Sequence, residues 1–350
     1  PDKHPTNRRQ RQMCIRDRDQ DPRALLPISS DKNKQIKIFK ELNNVTQEYF
    51  TYVGWLPYKF KSKYTNIDEI YRYRESINTS FDSSTFFFGG STMWGFGVAD
   101  NETIPSHYAK INNSNVINFG VGGWVSRQSL NRLMDLYSKE KFPKKVIFLD
   151  GHNEIEVNCK KITKSIPDHS RSKVIHDHLL RTGVTKSTKY ILTTLLEPYI
   201  NIAKSMKSKS IKDLSAYDCY QNPSKSKIIA KQLINNWKAA YLISKSNNVD
   251  FTAILQPVVF DSENFPKYFD QEKDFFLKHL KKEYEYVYPF IINEMNNACI
   301  EDKNYCKVLI DGRKWLAFEK DIWIDWSHVT SDGNKILAET ILKSSNQNIE

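Results

Sequence analysis

A doubly wound α/β domain built on about five parallel strands is the fold class this sequence predicts, and three observations predict it. Short apolar runs rich in β-branched and aromatic residues, Thr85 to Phe88, Val116 to Phe119, Lys145 to Leu149, Phe251 to Leu255 and Lys307 to Ile310, each end in Gly, Asp, Gln or Pro turn chemistry. Segments of helical period lie between them. Leu130, Leu133, Met134 and Tyr137 fall at i, i+3, i+4 and i+7, Ile229, Leu233, Trp237 and Tyr241 repeat every four residues, and Ile336, Leu337, Thr340 and Ile341 mark the last helix. Finally, 350 residues with 39% hydrophobic content are enough to bury a full core in one enlarged domain. Strands separated by helices imply right-handed crossovers and a parallel sheet covered on both faces.

Taken in order, residues 1–18 stand apart. The chain starts at Pro1, and Met13 to Arg18 reads MCIRDR, which resembles the translation of a transposon-end adapter used in sequencing libraries. The segment is expected to be a read artefact or a basic disordered arm and is set aside from the fold. A signal peptide or membrane anchor could have preceded the remainder. Residues 19–84 form a polar, aromatic-dotted lead-in without a motif, with a helix expected over Lys34 to Tyr49 and extended pieces around Tyr52 to Tyr64. It is expected to pack against the main domain, with a juxtamembrane stalk as the other reading. The main domain covers 85–345 and carries two excursions, at 160–223 and 261–298. The first is too long for a loop and contains a helical patch, Tyr190 to Met206, suited to a lid. The second is helical, with Pro289 suited to the first turn of a helix.

In an open parallel sheet, ligands sit beyond the carboxyl ends of the strands, so the chemistry is sought there. The first strand runs into FFFGGSTMWG, Phe86 to Gly95, where Gly89 and Gly90 permit a sharp turn that leaves the Ser91 hydroxyl at the sheet edge. The second runs into the glycine-rich NFGVGGWVS, Asn118 to Ser126, and the third into DGHNE, Asp150 to Glu154. Near the carboxyl terminus stands DWSH, Asp325 to His328, ahead of the final helix. These pieces supply the parts of an acyl-transfer site. His328 can take the proton of Ser91, and Asp325 can hold the imidazole in the right tautomer. The Ser91 N–H, a Gly123 N–H and the Asn153 amide can receive the developing oxyanion. Singly, each residue has a bland reading: a turn serine, a turn cap, a helix N-cap, a surface histidine. Their joint order after successive strands is what favours chemistry.

The order and spacing of these blocks resemble the SGNH hydrolases, the GDSL-type esterases and lipases. GGST matches the serine block, with Gly90 where the name-giving sequence has Asp. VINFGVGGWVS resembles the glycine block, and aligning GWVS selects Gly123 over Gly120 or Gly122. DGHNE resembles the asparagine block and places Asn153 in the oxyanion role, with Glu154 departing from the usual Asp; DWSH matches the histidine block. The resemblance implies a flavodoxin-like, three-layer α/β/α domain and an acyl-Ser91 intermediate, without metal or other cofactor.

Other residues invite weaker readings. Trp94, Trp124 and Trp326 adjoin motif residues and are candidates for the floor of a pocket, with core packing as the equal alternative. His152, beside Asn153, is a candidate for the pocket wall. The HDH at His176 to His178, with Asp168 and His169 nearby, lacks a second ligand pair and reads as solvated loop rather than metal site.

Of the formal charge of +11, residues 1–18 carry a net +4, from Lys3, Arg8, Arg9, Arg11, Arg16 and Arg18 against Asp2 and Asp17; +7 remains for the rest. The surplus Lys are scattered among Ser and Asn without base-stacking aromatics or a reading helix, which argues against nucleic acid and for a solvated face or attraction to an acidic polysaccharide or membrane surface. No apolar run is long enough to span a bilayer. Beyond Cys14, the four cysteines show no metal spacing: Cys159 and Cys219 bracket the first excursion, and Cys299 and Cys306 flank a short polar loop. Two disulfides and an exported protein are expected, against four buried thiols in a cytoplasmic one. The function expected is a serine esterase acting on an acyl or acetyl ester of a lipid or carbohydrate. The alternatives are an O-acyltransferase acting on cell-surface polysaccharide and an inactive carbohydrate- or lipid-binding module. Neither the oligomeric state nor the acyl group is written in these residues.

Overall fold

Residues 21–161, 217–269 and 275–347 are described by the computed structural model. The lead-in begins with a short 3-10 turn at Pro22–Leu25 and continues into α1 (Lys32–Asn44), whose first turn is capped by the Asp31 carboxylate accepting from the Lys34 N–H at 2.9 Å. The helix stops before Val45 instead of reaching Tyr49, because residues 47–50 are taken by β1 (Gln47–Phe50), which pairs antiparallel with β2 (Gly54–Pro57). Cross-strand packing of Tyr49 on Trp55, 5.5 Å between rings, outweighs the local helical pattern there. A second small ladder joins β3 (Phe60–Lys61) to β4 (Asn66–Ile67).

The main domain follows as strand and helix in alternation: β5 (Thr85–Gly89), α2 (Ser91–Trp94), α3 (Ile104–Asn112), β6 (Val116–Asn118), α4 (Ser126–Tyr137), β7 (Lys145–Asp150) and α5 (His152–Asn158). After the first excursion come α6 (Pro223–Ser246), β8 (Asp250–Leu255), α7 (Phe275–Glu301), α8 (Lys303–Cys306), β9 (Leu309–Asp311) and α9 (Ser331–Gln347). The five long-range strands form one parallel sheet in the order β6-β5-β7-β8-β9. This is the flavodoxin-like order, and the five strands expected from sequence are all present. Because both faces are covered, the strands read as continuous apolar runs: Phe86, Phe88, Val146 and Phe148 face one core cluster, and Phe87, Ile147 and Leu149 the other. Helices α4, α6 and α7 supply the first cluster and α3 and α9 the second, giving three layers.

Two details of the helices differ from the sequence pattern. In α4 the inward stripe is Leu130, Leu133, Leu136 and Tyr137, while Met134 is 41% exposed; Tyr137 is fixed by its hydroxyl contact with Ser244 at 3.2 Å, which sets the rotation of the last turn. In α7, Pro289 lies in the middle of the helix, not in its first turn. The proline removes one helical hydrogen bond, but Val287, Tyr288 and Ile291 around it are buried, and packing under the sheet outweighs the local break.

The cysteines pair as Cys159–Cys219 and Cys299–Cys306. The first bridge closes the base of the first excursion, helped by Lys225 Nζ, which donates to the Lys160 carbonyl and the Asp218 carboxylate. The patch Tyr190 to Met206 and the group of Asp168, His169 and His176 to His178 lie outside the described residues. No helix among the described residues is long and apolar enough to cross a membrane.

The sheet order sets the place of the site. The chain leaves β5 for β6 on one side and returns to β7 on the other, so the strand order reverses at β5, and a crevice opens at its carboxyl end. Ser91 lies directly beyond that end.

Candidate active site

The turn after β5 is made of glycine for steric reasons. Gly89 has φ +153°, and a Cβ there would stand 2.4 Å from the Leu149 carbonyl oxygen of β7. Ser91 then opens α2, and its Oγ lies 2.7 Å from His328 Nε2. His328 Nδ1 stands 2.7 Å from both carboxylate oxygens of Asp325, so its proton belongs on Nδ1 and leaves Nε2 to accept from the serine hydroxyl. The DWSH turn is held from within: Asp325 Oδ1 accepts the N–H groups of Ser327 at 3.1 Å and His328 at 2.9 Å. It is tied to the serine turn by Thr92, whose hydroxyl donates to the Ser327 carbonyl at 3.0 Å and accepts from Gln256 Nε2 at 2.8 Å. Those two residues carry no sequence signal, yet they bring ends of the chain 235 positions apart into register.

Asp325 is almost fully buried, at 4% exposure. Burial alone would raise its pKa; the His328 charge and hydrogen bond, the Arg23 charge and the Ser327 N–H outweigh this and hold the carboxyl far below the usual range. It therefore stays ionised wherever the protein is folded near neutrality. Arg23 comes from the lead-in, where no motif marks it out among 52 Lys and Arg residues. Its Nη1 donates to Asp325 Oδ2 at 2.8 Å.

The other expected oxyanion donors lie in the two turns beside the serine turn. Gly122 is near enough that a Cβ on it would lie 4.0 Å from the Ser91 Cβ, and Gly123 follows with φ +79°, a conformation that favours glycine. Gly120 is a close-approach residue, since a Cβ there would meet the Trp94 backbone nitrogen at 2.5 Å. Asn153, second residue of α5, donates from Nδ2 to the Trp124 carbonyl at 2.7 Å, directly beside Gly90. Its loop is anchored by Glu154, whose oxygens accept the Ser126 N–H at 2.5 Å and the Gly151 N–H at 3.0 Å. Glu154, where the motif has Asp, thus joins the asparagine block to the helix that follows the glycine block.

The pocket candidates differ in burial. Trp94, at 7% exposure, packs beneath the Arg74 guanidinium, and Trp124, at 1%, donates its indole N–H to the Trp55 carbonyl at 3.0 Å. His152 is also interior, stacked on Tyr284 and with Nε2 3.1 Å from Glu156. Trp124 and His152 are buried with their polar atoms partnered, and Trp94 is buried in the core by ring packing, its indole N–H without a hydrogen-bond partner among the described residues; Trp326 is half-buried between the two main clusters. Among the described residues, Cys159, Cys219 and Glu283 come close enough to suggest a metal, but the two sulfurs are bonded to each other.

No protein-family model matches the chain, and no curated protein does. Among solved structures it is similar to a GDSL-like lipase from Bacteroides thetaiotaomicron VPI-5482, at 12% identity over 76% of this chain and 88% of that one, with a TM-score of 0.40. A member of the lipolytic protein G-D-S-L family from Veillonella parvula DSM 2008 matches at 11% identity over 74% and 96%, with a TM-score of 0.40. A carbohydrate acetylesterase from Sinorhizobium meliloti matches at 11% identity over 76% and 99%, with a TM-score of 0.38. The chain resembles the SGNH hydrolases, the GDSL-type esterases and lipases, both in the order of its four sequence blocks and in the parallel sheet at whose carboxyl edge those blocks meet.

Proposed function

We propose that the protein is a serine esterase of the SGNH type, cleaving an acyl or acetyl ester through an acyl-Ser91 intermediate. The observation that carries this reading is the hydrogen-bonded chain Ser91 Oγ, His328, Asp325, with 2.7 Å at each link. In the first half-reaction Ser91 Oγ attacks the ester carbonyl while its proton passes to His328 Nε2. The oxyanion is received by the N–H groups of Ser91 and Gly123 and by the Asn153 amide. One hydrogen of that amide is already committed to the Trp124 carbonyl, which fixes the plane of the group and leaves the second for the oxyanion. The intermediate collapses as His328 returns its proton to the leaving alcohol. Water then gives a proton to His328, attacks the acyl-serine carbonyl, and releases the carboxylic acid with Ser91 restored.

Asp325 stays ionised through this cycle and offsets the charge of the imidazolium. A sugar hydroxyl in place of water would turn the same intermediate to transfer, and the surplus of basic side chains favours an acidic or polysaccharide acceptor as that second reading. The two disulfides support an exported protein. Mass spectrometry after a fluorophosphonate probe tests the reading: Ser91 is expected to carry the adduct, and Ser91→Ala to abolish both labelling and p-nitrophenyl acetate turnover. Turnover of wild type no faster than Ser91→Ala, with no adduct, would defeat it.

A further inference from the structure

The carboxylate behind the imidazole has a partner from outside the four motifs. Asp325 Oδ1 is fixed by two backbone N–H groups, but among the described residues Oδ2 is held only by His328 Nδ1 and by Arg23 Nη1, at 2.7 and 2.8 Å. Without the guanidinium, one side of the carboxylate would depend on the imidazole it is meant to orient. Arg23 is itself fixed in place. Its Nε and Nη2 donate to the two Asp21 oxygens at 3.1 and 2.9 Å, and its planar group lies 4.5 Å from the centre of the Phe96 ring and 5.5 Å from that of Phe39. Phe96 also packs against the His328 ring at 4.8 Å. One aromatic side chain therefore touches both the guanidinium and the imidazole, and a planar fork meets carboxylates on two sides.

We infer that Arg23 is a positioning residue for the proposed reaction, holding Asp325 Oδ2 so that the carboxylate keeps His328 aimed at Ser91. The inference rests on the serine-esterase reading. It makes the lead-in a working part of the active site, 302 positions away in sequence from the group it holds. A surface staple between lead-in and body would predict a change in stability alone, whereas a positioning role predicts slower chemistry in protein that is still folded.

The test compares wild type with Arg23→Gln, Arg23→Lys and Asp21→Asn, using p-nitrophenyl acetate and fluorophosphonate titration to count folded, competent sites. Arg23→Gln is expected to lower kcat per competent site roughly tenfold to a hundredfold with KM within about twofold, reaching at most the lower end of a full general acid–base contribution. Arg23→Lys, one charge without the fork, should recover part of the loss, and Asp21→Asn should show a smaller loss in the same direction. The downfield proton resonance of His328 Nδ1 should move in Arg23→Gln. A kcat per competent site within about twofold of wild type, together with an unmoved resonance, overturns the inference while wild-type labelling at Ser91 leaves the esterase reading standing. Wild type that neither labels nor turns over removes the esterase reading instead, and the resonance then decides whether Arg23 orders the Asp325–His328 pair.

Discussion

Gly90 and Asn153 show how one missing side chain makes room for another. Gly90 has φ −80°, which any residue can adopt, so its need for glycine is purely steric: a Cβ would come 2.2 Å from Asn153 Nδ2. Gly90→Ala should therefore displace the amide and mimic Asn153→Ala, each lowering kcat by about a hundredfold to a thousandfold, the usual loss when one oxyanion donor is removed. Steady-state kinetics beside a thermal melt check this. Loss of turnover with a melting temperature changed by only a few degrees is expected; full activity in Asn153→Ala would remove Asn153 from the oxyanion role, and full activity in Gly90→Ala alone would show that the amide accommodates the added methyl. The same logic separates Gly123, whose backbone needs positive φ, from Gly90, whose neighbour needs space.

At the scale of elements, the lead-in reaches three of the four blocks. Arg23 holds Asp325, and the β1–β2 hairpin packs Val53 and Leu56 on Val121 and Trp124 of the glycine block. Arg74, fully buried, donates to the Trp94, Gly95 and Val98 carbonyls that close the turn after Ser91, and pairs with Asp100 at 2.8 Å. Arg74→Leu would take a charged donor from those carbonyls and leave the Asp100 carboxylate without its counter-charge, so a loss of about 3 to 5 kcal/mol is expected in urea unfolding. A loss under about 1 kcal/mol would show that water takes over those contacts. The disulfides differ by the length of chain they close, with sequence separations of 60 and 7. By loop-closure entropy, removing Cys159 and Cys219 together should cost up to about 4 kcal/mol and removing Cys299 and Cys306 about 2 kcal/mol. Equal costs in urea unfolding would show that local contacts, not chain entropy, dominate.

For the molecule as a whole, two buried carboxyls pull the pH dependence of stability in opposite directions. Asp325 is held below its usual range, so its contribution is present above about pH 4 and is lost as acid protonates it. Asp150, beneath the sheet edge, is driven the other way by burial and by the neighbouring Glu154 carboxylate, and it accepts from the Trp237 indole at 3.0 Å. The unfolded chain gives up that proton above about pH 4 while the folded chain keeps it, so stability falls as pH rises through this window. Asp150→Asn keeps a neutral side chain there and removes the fall. Relative to wild type, its urea midpoint should therefore improve as pH rises above about 4; an unchanged or worsening difference would mean that Asp150 is ionised in the folded protein.

The strands and the four blocks are legible in the chain because their signals are local. A run such as FFFGG is at once buried on two faces and broken by glycine, and DWSH closes on itself through hydrogen bonds spanning two and three residues. The end of α1, the place of Pro289 and the exposure of Met134 depart from the sequence pattern because partners distant along the chain outweigh local propensity at each. Composition and order along the chain determined the alternation of strands and helices and the candidate serine, histidine and aspartate; they left the cysteines between two bridges and four thiols, which the folded chain resolves as Cys159–Cys219 and Cys299–Cys306. Only the folded chain decided that Arg23, Arg74, Thr92 and Gln256 contact the candidate site and that Trp94, Trp124 and His152 are buried. Such roles depend on contacts between positions tens to hundreds of residues apart, and no spacing rule along one polymer encodes which distant side chain will meet a buried carboxylate or carbonyl.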